Sequence, residues 1–156
     1  MPWRETPKFV TMRKFILALL LFAFATSANA QSKPAPKLQT YLAGLKGGDI
    51  TVADFNHIID SPVVVKDEKG IAYPVARFTA GYKFTSSYED EDSGEKKTTS
   101  DFRSQEYTDD NKMSELWRQS VKDNVKAGDE MLLFNVLVRL KNGKKMMVPQ
   151  ISFKIK

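Results

Sequence analysis

Two runs of alternating apolar residues flank the dipeptide Asn142-Gly143 near the C-terminus. In the first, Leu132, Phe134, Val136, Val138 and Leu140 fall on one face. In the second, Met147, Ile151, Phe153 and Ile155 share a face, with Gln150, Ser152, Lys154 and Lys156 opposite. A period of two belongs to a β-strand, whose side chains point alternately to the two sides of a sheet. Asn-Gly accepts the positive φ angles of a two-residue hairpin turn. The chain is therefore expected to end in an antiparallel hairpin, with Phe134 and Phe153 buried together between two sheet layers. Pro149 cannot donate to a ladder and predicts an edge position or a bulge in the last strand.

The same alternation runs through residues 74–88. Ala76, Phe78, Ala80, Tyr82, Phe84 and Tyr88 lie on one face, and Arg77, Thr79, Lys83, Thr85 and Ser87 on the other. That pattern marks a sheet with one buried side. The charged stretch 89–97 then reads as the loop to a hairpin partner, Thr98–Tyr107. This partner is polar on both faces, with Phe102 its main apolar residue, so it belongs at a sheet edge. Upstream, Val63-Val64-Val65 begins a strand that turns at Asp67–Gly70, and Leu38–Leu45 is a weaker strand closed by Gly47-Gly48.

Two segments carry the helical period. Over Asp49–Asp60, Thr51 and Asp54 have capping-box spacing. Val52, Phe55, Ile58 and Ile59 share a face, and Ser61-Pro62 ends the segment, a short helix or turn. Asp109–Val125 reads as the one clear helix, with Met113, Leu116, Trp117, Val121 and Val125 on its apolar face and Trp117 taken as core. Asp109 and Asp110 suit its N-terminus, Lys122 and Lys126 its C-terminus, and Gly128 its cap. The order of elements predicts an α+β, mainly β domain of antiparallel sheets with one flanking helix, without repeats or βαβ units.

The N-terminal thirty residues read as a separate segment. Met12-Arg13-Lys14 precedes the apolar run Phe15–Phe24, and Ala28-Asn29-Ala30 follows. Basic start, short apolar core and small-x-small end are the parts of a cleavable export signal. The run is about half the roughly 20 residues of a spanning helix. We expect cleavage after Ala30, a true start at Met12, a flexible leader over 31–37, a single domain over 38–156 and no membrane span after cleavage. The destination is the periplasm, the cell surface or the exterior. The chain has no cysteine, which removes disulfides, lipidated cysteine and thiolate metal sites from consideration. Its formal charge is +5. Without the four basic residues and the one acid of 1–30, 20 basic residues stand against 18 acidic ones, a balance of about +2 that does not suggest a nucleic-acid partner.

Few residues suggest chemistry. His57 is the only histidine. Asp54 and Asp60 lie about one helical turn to either side of it, the weak basis for a hydrolase site. Glu89, Asp90, Glu91, Asp92 and Glu95 are candidate oxygen ligands for calcium, although a run of acids followed by Lys96-Lys97 is usually a solvated hairpin tip. No nucleophile elbow, phosphate loop or dinucleotide fingerprint occurs. The sequence points to no cofactor. Lys83, Thr85, Arg103 and Gln105 on the polar hairpin are candidate contacts for a partner, either another protein or a second copy of the chain.

Several segments resemble one family. Gly48-Asp49-Ile50-Thr51-Val52-Ala53-Asp54-Phe55, Ala76-Arg77-Phe78-Thr79-Ala80-Gly81-Tyr82, Lys126-Ala127-Gly128-Asp129-Glu130-Met131-Leu132-Leu133-Phe134 and Pro149-Gln150-Ile151-Ser152-Phe153-Lys154-Ile155 are similar to motifs of the C-terminal domain of GldM, the periplasmic gliding-motility and type IX secretion protein of Bacteroidetes. The resemblance covers about residues 48–156. It implies an immunoglobulin-like sandwich with an added helix and a non-enzymatic role among cell-envelope proteins. GldM also carries an inner-membrane helix and further periplasmic domains, where this chain has its expected signal. Anchoring to a motor and transmission of force are therefore not implied.

Overall fold

The computed structural model describes residues 35–156. The expected signal over 1–30 and the start of the leader lie outside the described residues. Residues 35–37 lead without regular structure into the first strand. In chain order come β1 (Leu38–Leu42), β2 (Gly48–Ile50), α1 (Val52–Ile58), β3 (Val63–Asp67), β4 (Ala72–Tyr73), β5 (Val75–Glu89), β6 (Lys96–Thr108), α2 (Glu115–Lys122), β7 (Glu130–Arg139), β8 (Lys145–Val148) and β9 (Ile151–Ile155). The fold is mainly β, with two helices: the segment expected as a short helix or turn is helical over Val52–Ile58, beside the expected flanking helix. Among the described residues no helix is long and apolar enough to cross a membrane.

One sheet is small, in the order β1-β3-β4. The other runs β2-β9-β7-β5-β6, with β8 continuing β9's place beside β7. All pairings are antiparallel except β2 with β9. Both sheets and both helices feed one apolar cluster. Leu42, Val63 and Val65 enter from the small sheet, Phe55 and Ile59 from the α1 segment, Val121 from α2, and Phe78, Leu133, Val138 and Phe153 from the large sheet. α1 starts where the sequence suggests, because Thr51 accepts the Asp54 N–H through its side chain, 3.1 Å away.

The β7 face departs from the expected alternation. Thr79 lies opposite Phe134 and Arg77 opposite Leu137, so three steps along β7 match two along β5. The extra residue is Asn135, held at φ 52°, a conformation that asparagine tolerates better than most residues. The bulge inverts the phase. Met131 and Leu133 point into the core before it, and Val136 and Val138 after it. Leu132 and Phe134 therefore take the outer face, away from Phe153. This corrects the expectation that Phe134 and Phe153 are buried together. Phe134 instead meets the Phe102 ring at 6.3 Å across Gly81.

The neighbouring strand changes phase at the same level. Pro149 and Gln150 interrupt it between β8 and β9, so the missing proline N–H falls in a gap of the ladder. Val148 and Ile151 both face the core, whereas Met147 is 55% exposed, contrary to its expected inward position. Tyr88, expected on the buried face of β5, is also exposed, because the strand runs past the end of the core. α2 is shorter than the predicted helix. Met113 is buried just before it, and Asp109 continues the β5–β6 ladder by donating its N–H to the Ala76 carbonyl. Leu116 is 84% exposed and takes no part in the apolar face. Gly128 lies in the turn into β7, donating to the Ile155 carbonyl, and does not cap the helix.

Candidate functional site

β5 and β6 form a long ribbon paired without a shift from Arg77 opposite Thr108 to Glu89 opposite Lys96. β6 is the last strand of its sheet. Its hydrogen-bond phase is set at both ends, where Asp90 N–H donates to the Glu95 carbonyl and Asp109 N–H to the Ala76 carbonyl. Bonded pairs recur at every second position of an antiparallel ladder. Lys97, Thr99, Asp101, Arg103, Gln105 and Tyr107 thus bond to β5, while the backbone groups of Thr98, Ser100, Phe102, Ser104 and Glu106 turn outward. Only Tyr107 of β6 is buried. The strand has no proline and no bulge, two devices that commonly blunt an edge.

Side chains of β6 divide between two faces. Asp101, Arg103 and Gln105 lie on the core side of the sheet plane, beyond the core itself. Ser100, Phe102, Ser104 and Glu106 lie on the outer side. Of the four candidate contacts, Lys83 is on the outer face opposite Phe102, and Gln105 is exposed opposite Ala80. Thr85 and Arg103 come together at a cleft between the ribbon and α2. The four therefore do not form one patch.

The cleft encloses about 270 Å³. Phe84 stacks on Tyr82 at 5.6 Å, and the Arg103 guanidinium lies 5.0 Å from the Phe84 ring centre, where the ring's electron-rich face attracts the cation. Trp117, Asn124 and Lys126 form the opposite wall. Trp117 is half-buried and packs against the core, as expected, while also lining the cleft. Beside the cleft sits Asp129, which is 2% exposed. It accepts from the Tyr82 hydroxyl, from Lys126 N–H at 3.0 Å and from Thr85 N–H at 3.3 Å. The carboxylate thereby closes the end of the β5–β7 ladder with three donors in place of water. Burial, and then the bond to Asp129, push the Tyr82 phenol well above its ordinary value. Sequence reading missed Asp129. The only available signal was an aspartate directly preceding a strand, after Lys126-Ala127-Gly128.

The other candidate groups are dispersed. His57 is exposed on α1. Asp54 accepts from the Thr51 hydroxyl at 2.8 Å, and Asp60 accepts from Arg118 and Lys122 at 2.5 Å each. Lys122, against the cost of desolvation and with help from Arg118, holds the Asp60 carboxyl below its ordinary value. Both carboxylates near His57 in sequence are thus engaged elsewhere. In the hairpin tip, Asp90 accepts from the Lys97 ammonium and from the N–H groups of Asp92 and Ser93, 3.1 Å each. Lys97 foremost lowers its pKa. Glu89 stands opposite Lys96. Glu91, Asp92 and Glu95 are exposed around the turn. Among the described residues, no three histidine or acidic side chains converge as a metal site would require. No protein-family model and no curated protein matches the chain.

Proposed function

We propose that this chain is a non-catalytic, exported protein-binding or structural module that recognises a cell-envelope protein by adding a strand to the edge of β6. In this reading its two sheets form an immunoglobulin-like sandwich, akin to the C-terminal domain of GldM, and its place is the periplasm or cell surface, in envelope assembly or type IX secretion. The observation that carries the proposal is the long, unbulged, exposed edge of β6, whose outward N–H and C=O groups are a template for a further strand. The cleft beside Arg103 supplies a place for a side chain of that strand, and recognition of this kind needs neither metal nor nucleophile.

The test uses proline. Ser104→Pro removes one outward N–H and leaves the bonds to β5 in place, as proline is tolerated at edges. Capture of an envelope protein by the wild type and its loss with Ser104→Pro support the reading. An unchanged set of captured proteins with a folded Ser104→Pro variant would end it.

A further inference from the structure

Resting on that edge-docking reading, we propose that β6 pairs with β6 of a second copy of this chain, antiparallel, with Phe102 on the two-fold axis. The argument is one of register. Even-numbered residues of β6 turn their backbone groups outward, so even-numbered residues of the two copies must face each other. The charged residues then discriminate among the axes that meet this condition. An axis at residue 101 sets Asp101 against itself, and one at 103 sets Arg103 against itself. An axis at 100 sets Arg103 against Lys97 of the second copy. An axis at 104 leaves Arg103 opposite Gln105 and Asp101 opposite Tyr107. With the axis at 102, Arg103 of each copy faces Asp101 of the other, and this oppositely charged pair occurs twice by symmetry.

The remaining neighbours agree with that register. Ser100 faces Ser104, and Glu106 faces Thr98 with Lys96 on the diagonal. Phe102, now 53% exposed, meets its own copy and extends the outer-face contact with Phe134. Residues 96–100 of each projecting ribbon lie along residues 104–108 of the other copy and gain a partner there. An axis at 99 would also set Asp101 against an opposite charge, Lys97, but it pairs only residues 96–102 of each copy, whereas the axis at 102 is the midpoint of β6 and pairs the whole strand from 96 to 108; length and charge together are how an unbulged edge can stay specific.

The absence of cysteine makes the register directly measurable. Under mild oxidation Phe102→Cys should form a disulfide-linked dimer. Ser100→Cys and Ser104→Cys should each stay largely uncrosslinked alone and crosslink when mixed, since those two positions oppose each other. This mixture keeps the test valid if loss of the Phe102 ring disturbs the fold. By sedimentation, the wild type should dimerise. Arg103→Asp or Asp101→Arg should weaken dimerisation about tenfold or more, because each reversal places like charges opposite at two symmetric positions. The double reversal should restore it. A wild type that stays monomeric at millimolar concentration overturns the proposal, as do equal crosslinking of all three single variants or a double reversal that fails to recover dimers. If the monomer still captures an envelope protein in a manner abolished by Ser104→Pro, self-pairing falls while edge docking stands. If capture fails too, both fall.

Discussion

Asp129→Ala tests how the base of the ribbon is held to the rest of the sheet. The substitution takes the acceptor from three donors at once. Tyr82 is only 3% exposed, so leaving its hydroxyl without the carboxylate costs about 1–3 kcal/mol. The Lys126 amide lies on an exposed residue and can turn to water, and the Thr85 amide is half-buried at a longer 3.3 Å. Together they add roughly 1 kcal/mol. The expected loss is about 3 kcal/mol. With a slope of about 1–3 kcal/mol per molar urea for a domain of this size, the unfolding midpoint should fall by roughly 1.5 M. Tyr82→Phe alone should cost about 2 kcal/mol, as it removes a hydrogen bond to a charged group. Because the two residues share that bond, the double variant should be less destabilised than the sum of the singles by at least about 1 kcal/mol. A loss under about 1 kcal/mol for Asp129→Ala, or strict additivity with Tyr82→Phe, would refute the view that this carboxylate ties the ribbon to β7.

Alkali should weaken the fold through the same pair. Tyr82 holds its proton more tightly folded than unfolded, so its contribution is intact below the ordinary phenol pKa of about 10 and is lost as pH rises beyond it; Tyr82→Phe should flatten that decline in urea titrations, and an unchanged decline would contradict the bond. Gly47→Ala should cost about 2–4 kcal/mol, since φ is 99° and the new Cβ would lie 2.4 Å from the Ser152 carbonyl oxygen. Gly44→Ala, at φ 81° with open space around it, should cost about 1 kcal/mol; equal costs would remove the close approach from the account. Gly81→Ala should destabilise the wild type, where its Cβ would come within 2.6 Å of the Phe102 ring, and should cost clearly less in a Phe102→Ala background, where the Phe134 ring at 3.0 Å is the close neighbour that remains; equal costs in both backgrounds would refute the packing of Phe102 over Gly81.

Much of this architecture is legible in the residues, and its failures have local causes. The ribbon, its polar outer strand and the capped helix after Thr51 follow from alternation, charge and spacing. β7 does not, because one asparagine in a left-handed conformation reverses the side-chain phase, and every pattern count through Leu132–Leu140 then places the first half on the wrong face. Met147 fails for the related reason that Pro149-Gln150 breaks the strand just beyond it. Leu116 fits the helical period, yet no element lies over it. The cleft was not legible at all. Thr85 and Arg103 were picked as polar ribbon residues, but what joins them to Trp117 and Asp129 is the packing of α2 and β7 against β5, across separations that no sequence window spans.

Amide exchange along β6 examines the edge most directly. In dilute solution, the odd-numbered amides from Thr99 to Tyr107 should exchange slowly through their bonds to β5, and those of Thr98, Ser100, Phe102, Ser104 and Glu106 should exchange fast. As the protein is concentrated or a captured envelope partner is added, the even-numbered set should slow while the odd-numbered set changes little. Even-numbered amides that stay fast in the presence of every partner, or that are already slow in the dilute protein, would contradict an edge that is free and used for recognition.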